Sequence, residues 1–550
     1  MLSLGAKIAV IITAIGSMGC TLLSDFGVEA CSSDGDCRLL DGEGLRCKQS
    51  RCVPGCTDNR QCAALDPRYP ICPEPGATCS GLTSPGGECY LSTDYDDASM
   101  GALTGSGMTL VGAFAPSLRS STWLSLELAV NELNAFDPSS ESPTLRPSLV
   151  VLCSDVSNEL PAAMQHLIQT LGVKGIVASL DDASLDIALS LPRVAGQALF
   201  LSPFGVSINS ETSSHSHREL WHLGGRHGDI VSAYPTLARR AVDALALADD
   251  VPRIASLVGS TAEDRAIADA IEAVATAGGQ RVRDLERVGR YRRISVSDAS
   301  PADRATRLQE LVAYGPQLVW VFLGGFFAEP AELERVSVVG ELEDALDANG
   351  GARPTYLFGP RNFNDAALRR RAASSPSFRQ RSIGIDADRS ADAMVMGSLA
   401  ARFAQAFPAI ATQDIPLAVS PSVYDALYYM AYAFDYASAP SNGTELSVEM
   451  LETGLAQVTD PLGVPVTVGT GSAGLSAAGP SLAGGAPIDL VGTSGPANFD
   501  PVLRARPSTP RLYCWQEDGT VQELGKFDAA TGGFELADSV SCAQGVLGGP

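Results

Sequence analysis

The sequence predicts an α/β protein of two doubly wound lobes preceded by a small disulfide-rich module. Three observations predict it. From residue 108 short apolar runs alternate with stretches of helical spacing, the alternation resumes at Ile254 with a new set of elements, and nine cysteines crowd into 59 residues ahead of both. Strands alternating with helices read as parallel sheets covered on both faces.

The clearest unit lies at 173–205. Residues 173–178 and 198–202 are short apolar runs that stop at small polar residues, as buried parallel strands do when they deliver a loop to their carboxyl ends. Between them, residues 184–195 carry apolar side chains at helical spacing. Ahead of this unit, 109–115 and 149–153 read as strands, 121–133 as a helix capped by Ser120 or Ser121, and 160–171 as another helix. After it, 254–258, 318–323 and 355–358 read as strands, with helices over 264–277 and 308–314. In open α/β sheets the loops at the strand ends converge on a crevice where ligands bind, so the site is expected there.

Composition bounds the function. The chain of 550 residues is 45% hydrophobic, enough for substantial cores, and three or four domains follow from its length. A formal charge of −24 and no basic stripe exclude nucleic acid as a partner, because a polyanion would meet net repulsion.

The first residues read as an export signal. Lys7 precedes an apolar core over 8–15, too short to span a membrane, and the segment ends Gly16-Ser-Met-Gly-Cys20. Small residues before a cysteine resemble the lipobox of bacterial lipoproteins. The resemblance implies a signal peptide over 1–19, lipidation of Cys20 and a membrane anchor, with Thr21 favouring the outer membrane. An ordinary secretory signal is the other reading. No later run is long and apolar enough to span a bilayer.

Cys31, Cys37, Cys47, Cys52, Cys56, Cys62, Cys72, Cys79 and Cys89 form the dense block. In an oxidising space such a block is a disulfide-stapled module, expected over 31–92 between linkers at 20–30 and 93–107. It has no Cys-x2-Cys pair and no histidine, which opposes zinc. The two Cys-x5-Cys phrases beginning at Cys31 and Cys56 resemble small cysteine-rich repeats beside the lipobox cysteines of some bacterial surface proteins. Nine cysteines cannot all pair among themselves. Cys514 is expected to pair with Cys542, and Cys153 either stays free and buried or pairs with the leftover cysteine, for which Cys89 is a candidate.

From 108 the chain carries a family resemblance. Residues 111–116, 126–134, 172–177, 201–203, 421–427 and 492–500, in that order and texture, resemble type I periplasmic binding proteins, most of all the leucine/isoleucine/valine receptors of ABC importers. The resemblance implies two Rossmann-like lobes over 108–530, joined by three crossings and closing on a ligand. Lobe one would hold about 108–219 and 383–455, lobe two about 220–375 and 460–530, with a tail at 531–550. It implies a lipid-anchored, extracytoplasmic solute-binding protein in the cell envelope, periplasmic or surface-exposed, with a small polar ligand such as an amino acid, an ABC permease as partner, and no enzymatic activity. A ligand sensor and a surface interaction protein are the alternatives.

Carried over residue by residue, the resemblance points to Ser179, Asp181 and Ser184 in the first strand-end loop, to Phe204, Gly205 and Val206 in the next, and to Ser260 after the strand at 254–258. Asp181 and Asp182 would repel a ligand carboxylate unless they point away or cap the following helix, Val206 replaces a hydroxyl, and a tyrosine-glycine is missing from 259–264. Trp123 and Phe326 are available as apolar walls. Tyr428, Tyr429, Tyr432 and Tyr436 share one helix and read as core packing. His215, His217, His222 and His227 lie within 13 residues and offer an alternative metal or proton site near the first crossing; a solvated connector with Trp221 buried is the plainer reading. Residues 469–474 match the dinucleotide fingerprint, but Gly479-Pro480 cuts the helix it needs, so no cofactor is expected. No Gly-x-Ser-x-Gly, Walker loop or His-Glu-x-x-His occurs.

Overall fold

The computed structural model describes residues 45–48, 51–54, 89–91, 109–115, 120–134, 148–154, 159–180, 182–191, 194–206, 208, 218–245, 251–259, 261–296, 301–323, 330–360, 362–364, 366–386, 393–411, 419–438, 446–468, 478–482, 484–500, 502–537, 542–543 and 546. The chain divides into two compact units. In the smaller, Leu45–Lys48 and Arg51–Pro54 form an antiparallel hairpin in which Cys47 stands opposite Cys52. Cys20, the residue expected to carry a lipid, and most of the cysteine block lie outside the described residues.

The larger unit carries the α/β architecture. Its first strands are β1 (Cys89–Leu91), β2 (Thr109–Ala115), β3 (Ser148–Ser154), β4 (Gly175–Ala178), β5 (Leu199–Ser202) and β6 (Leu220–His222). They form one sheet in the order β1-β3-β2-β4-β5-β6, parallel except for β1. Helices α1 (Ser121–Asn134), α2 (Leu160–Gln165) and α3 (Asp182–Ser190) connect them. Ser120 caps α1 as the sequence predicts, its Oγ accepting from Trp123 N at 3.1 Å.

Helix α4 (His227–Ala244) leads into a second sheet: β7 (Ile254–Val258), α5 (Ala262–Val274), β8 (Tyr291–Ser295), α6 (Pro301–Tyr314), β9 (Leu318–Phe322), α7 (Pro330–Ala348), β10 (Thr355–Phe358), α8 (Ala366–Ser374) and β11 (Ser382–Asp386). Then come α9 (Ala393–Ala406), α10 (Pro421–Ser438), α11 (Val448–Val458), the small sheet β12 (Val464–Thr467), β13 (Ile488–Gly492) and β14 (Gly495–Pro496), and finally β15 (Arg511–Trp515), β16 (Val521–Asp528) and β17 (Gly533–Leu536). The second sheet runs β8-β7-β9-β10-β11-β15-β16-β17, with β7 to β11 parallel and the last three antiparallel.

Period-two burial explains why this sheet is covered on both faces. Leu318, Trp320 and Phe322 of β9 join one core with α4 and α5, while Val319 and Val321 join another on the opposite face with Leu308 and Leu311 of α6 and Leu342 of α7. A third core lies under the first sheet. There Val111, Val177 and Leu201 meet α1, Leu399 and Phe403 of α9, and nearly the whole apolar length of α10.

Two assignments of chain to lobe differ from the expectation. The strands at 464–467 and 488–492, expected with the second half, pack in the core of the first, where Val466, Val468, Ile488 and Leu490 are buried with residues of α10 and α11. Residues 220–222, expected to open the second half, form the parallel edge of the first sheet. Both differences have one cause: the apolar runs specify strands, while their partners are decided by long-range packing.

Cys89 pairs with Cys153 across β1 and β3, and Cys514 pairs with Cys542. A tight helix contact yields a first prediction. An added Cβ on Gly454 of α11 would lie 2.4 Å from the Ala433 carbonyl oxygen of α10, a backbone atom with little room to move. Gly454→Ala is expected to destabilise the protein by about 1–3 kcal/mol in chemical denaturation, the cost of forcing a packed contact apart.

Candidate functional site

Each sheet reverses its strand order once, and strand-end loops at such points form the ligand crevice of open α/β sheets. In the first sheet the reversal lies between β2 and β4, which are parallel neighbours. Thr122, in the first turn of α1 after β2, and Ser179, directly after β4, are both 0% exposed, yet neither hydroxyl has a hydrogen-bond partner. Buried polar groups are nearly always satisfied, so two orphans at adjacent strand ends call for a function. Beside them, the loop after β5 places Phe204, Gly205 and Val206 in buried positions, and Ser202 Oγ accepts from Phe204 N at 3.2 Å.

In the second sheet the reversal lies between β7 and β9. A small open crevice there is lined by His227, Glu263, Asp264, Ile267, Phe322, Pro360 and Asn362. Local chemistry fixes the wall. Thr261 caps α5, accepting from Asp264 N at 3.0 Å, which turns the helix start toward the strand ends. Gly259 makes room for the Asp264 carboxylate: a Cβ there would lie 2.1 Å from its Oδ2. Asn362 follows β10 and is 3% exposed; its Nδ2 donates to the carbonyls of Gly359 at 3.1 Å and Pro360 at 3.0 Å.

The two sites are linked at the first crossing. His227 opens α4 with its Nδ1 2.5 Å from Glu263 Oε1. An added Cβ on Gly205 would lie 3.0 Å from His227 Nε2 and from the Gly225 carbonyl oxygen, so a strand-end loop of the first sheet rests directly on a residue that lines the crevice of the second. The crossings are also tied to each other. Ser508 Oγ accepts from Arg226 N at 3.0 Å and donates to Asp229 Oδ2 at 2.9 Å, and His222 N donates to Arg504 O at 2.8 Å.

The sequence-derived residues fall into three groups. Ser179, Phe204, Gly205 and Val206 lie at the strand ends, Trp123 packs partly buried against the core under α1, and Ser184 is half-buried on α3. Asp181, Ser260, Phe326, His215 and His217 lie outside the described residues. Of the remaining histidines, His222 sits in β6 with its Nδ1 3.3 Å from Phe204 O, and His227 lines the crevice. Among the described residues no group of three or more metal-ligating side chains could hold an ion. Tyr424, Tyr428, Tyr429 and Tyr432 of α10 are core residues as expected, while Tyr436 is only partly buried against that core: Tyr429 OH donates to Leu490 O at 2.5 Å, and Tyr424 and Tyr428 bond each other and Glu132.

Sequence reasoning missed Thr122, Glu263, Asp264, Phe322 and Asn362. A signal existed for Glu263 and Asp264, which fall at a capped helix start directly after a buried strand. Ser179 carries a prediction of its own. Ser179→Ala removes a buried hydroxyl without a partner, so the ligand-free protein is expected to be unchanged or stabilised by up to about 1 kcal/mol in thermal denaturation.

No family model matches the chain, and no curated protein matches its sequence. Solved structures do match in fold. A solute-binding protein of an ABC transporter from R. palustris, in complex with benzoate, is 13% identical with a TM-score of 0.50, over 79% of this chain and 99% of its own. The branched-chain amino acid transporter substrate-binding protein LivJ of Streptococcus pneumoniae, in complex with isoleucine, is 13% identical with a TM-score of 0.50, over 76% of this chain and 98% of its own. A solute-binding protein of an ABC transporter from Rhodopseudomonas palustris BisB5, in complex with 3,4-dihydroxybenzoic acid, is 16% identical with a TM-score of 0.50, over 77% of this chain and 98% of its own. With parallel sheets in the same arrangement, this chain has the α/β fold of type I periplasmic solute-binding proteins.

Proposed function

We propose that the chain is an extracytoplasmic solute-binding protein that captures a small polar molecule between the strand ends of its two sheets. One observation carries the reading: the Gly205 loop of the first sheet rests on His227, a residue that lines the crevice of the second. A ligand at this junction touches both halves only when they are closed, so its binding energy favours the closed form. Thr122 and Ser179 supply hydroxyls from one side, and His227, Glu263 and Asn362 supply polar groups from the other. Ile267, Phe322 and Pro360 provide the apolar wall that small-molecule sites require. The fold's solved examples with benzoate, 3,4-dihydroxybenzoic acid and isoleucine make aromatic acids and amino acids natural first compounds to test.

Delivery to an ABC permease completes the proposal, with the protein held to the envelope through acyl chains on Cys20. Thr21 behind that cysteine favours a second reading, a ligand sensor in the outer membrane, remote from an inner-membrane permease.

The test is a thermal-shift screen of the full chain against amino acids, aromatic carboxylates, amines, amides and sugars. A ligand at a hundred times its dissociation constant adds about 2.7 kcal/mol to the folded state, a shift that is readily measured. A shift with at least one class supports capture. A flat response across all of them contradicts it and favours a surface interaction role.

A further inference from the structure

The crevice of the second sheet is lined by acceptors. Glu263 and Asp264 open α5 on one side, Asn362 follows β10 on another, and His227 is the one basic side chain among the described lining residues. Its Nδ1 is already engaged with Glu263.

Asn362 adds an independent observation. Its Nδ2 is committed to two backbone carbonyls, which fixes the orientation of the amide. Oδ1 is left without a partner on a side chain that is 3% exposed and lines the crevice. A buried acceptor without a donor is costly unless a bound molecule brings one.

We infer that this crevice takes the protonated amine of a small organic cation, whose N–H groups are donated to Asn362 Oδ1 and to the Glu263 and Asp264 carboxylates. Ile267, Phe322 and Pro360 of the lining supply the apolar surface beside it. The inference rests on the solute-binding reading and narrows it to an ammonium ligand that carries no carboxylate. A carboxylate placed in the same crevice would meet two acidic side chains and an unsatisfied carbonyl oxygen. The formal charge of −24 acts in the same direction, drawing cations toward the protein and repelling anions. A bare divalent ion is the weaker fit, since no metal-ligating group of three or more occurs among the described residues.

The experiment is calorimetric titration of the full chain at neutral pH with phenethylamine and with 3-phenylpropionate, two molecules of similar body and opposite charge, alongside putrescine, benzoate, isoleucine and zinc chloride. The expected result is that an amine binds at least about tenfold more tightly than 3-phenylpropionate, and that Glu263→Gln weakens the amine by about tenfold or more, the loss of one charge-assisted contact. The charge-reversed pair is read on the unaltered protein, so the test does not depend on how well the variant folds. If 3-phenylpropionate, benzoate or isoleucine binds and the amines do not, the amine assignment is overturned while solute binding stands. Binding of zinc alone also overturns it. If neither these probes nor any compound of the wider screen binds, solute binding itself fails and the assignment falls with it.

Discussion

Replacing Asp425 with alanine is expected to destabilise the protein by about 3–5 kcal/mol, because it leaves a set of buried donors without their acceptor. Asp425 is 1% exposed on α10 and accepts four hydrogen bonds from the turn between β13 and β14. Thr493 N and Oγ1 reach Oδ1, each at 2.8 Å, while Ser494 N and Oγ reach Oδ2 at 2.9 and 2.6 Å. Gly492 is part of the same device, since an added Cβ there would lie 2.5 Å from Oδ2. The carboxylate therefore pins the small sheet to the central helix of the first core. Urea denaturation measures the loss.

The same residue gives the pH dependence a sign. Burial raises the Asp425 carboxyl above its ordinary value, against the lowering effect of its donors. A folded-state value above the unfolded one means that the folded form holds the proton more tightly. This group's contribution is thus full below the unfolded value and is lost as pH rises through the folded one. Asp425→Asn cannot titrate, so its deficit relative to the parent protein is expected to be larger at pH 4 than at pH 7.

Reduction or removal of the Cys89–Cys153 bond is the second large effect. The bridge joins residues 64 apart and fastens the short antiparallel strand β1 to β3. Closing a loop of that length restricts the unfolded chain by about 4 kcal/mol in the chain-entropy account. The Cys89→Ala/Cys153→Ala double variant is expected to lose about 2–5 kcal/mol in denaturant titration under oxidising conditions, the usual range for a native disulfide. A loss well below 1 kcal/mol would contradict a structural role for the bond.

How much of this was legible in the sequence differs from element to element. The parallel strands were readable because apolar runs such as 150–153 and 318–322 are buried on both faces, and no amphipathic alternation competes with that pattern. Ser120 was readable as a cap because a hydroxyl just ahead of helical spacing has one favoured use. Cys514 and Cys542 flank a hairpin, so their pairing is local. The membership of β12 and β13 was not legible: Val466 and Leu490 look alike whether they pack on α10 or on the second sheet.

The candidate site was half legible for a related reason. The family resemblance points to Ser179, Phe204, Gly205 and Val206, and all four lie just after parallel strands, where the loops of open α/β sheets converge. Glu263 and Asn362 are separated by about a hundred residues, and only the β7-β9-β10 order brings them together. His227 is one of four histidines grouped along the chain. In the fold it works instead with Glu263.

The measurement that tests the central claim most directly is the calorimetric affinity of Ser179→Ala, compared with the parent protein, for whichever compound the screen identifies. Ser179 belongs to the first sheet, while the crevice belongs to the second. If the ligand is held between them, removing this one hydroxyl weakens binding by about tenfold, the value of a hydrogen bond lost in a dry site, while the ligand-free protein keeps its stability. An unchanged affinity in a well-folded variant would mean that the second sheet binds alone, and it would contradict capture between the two halves.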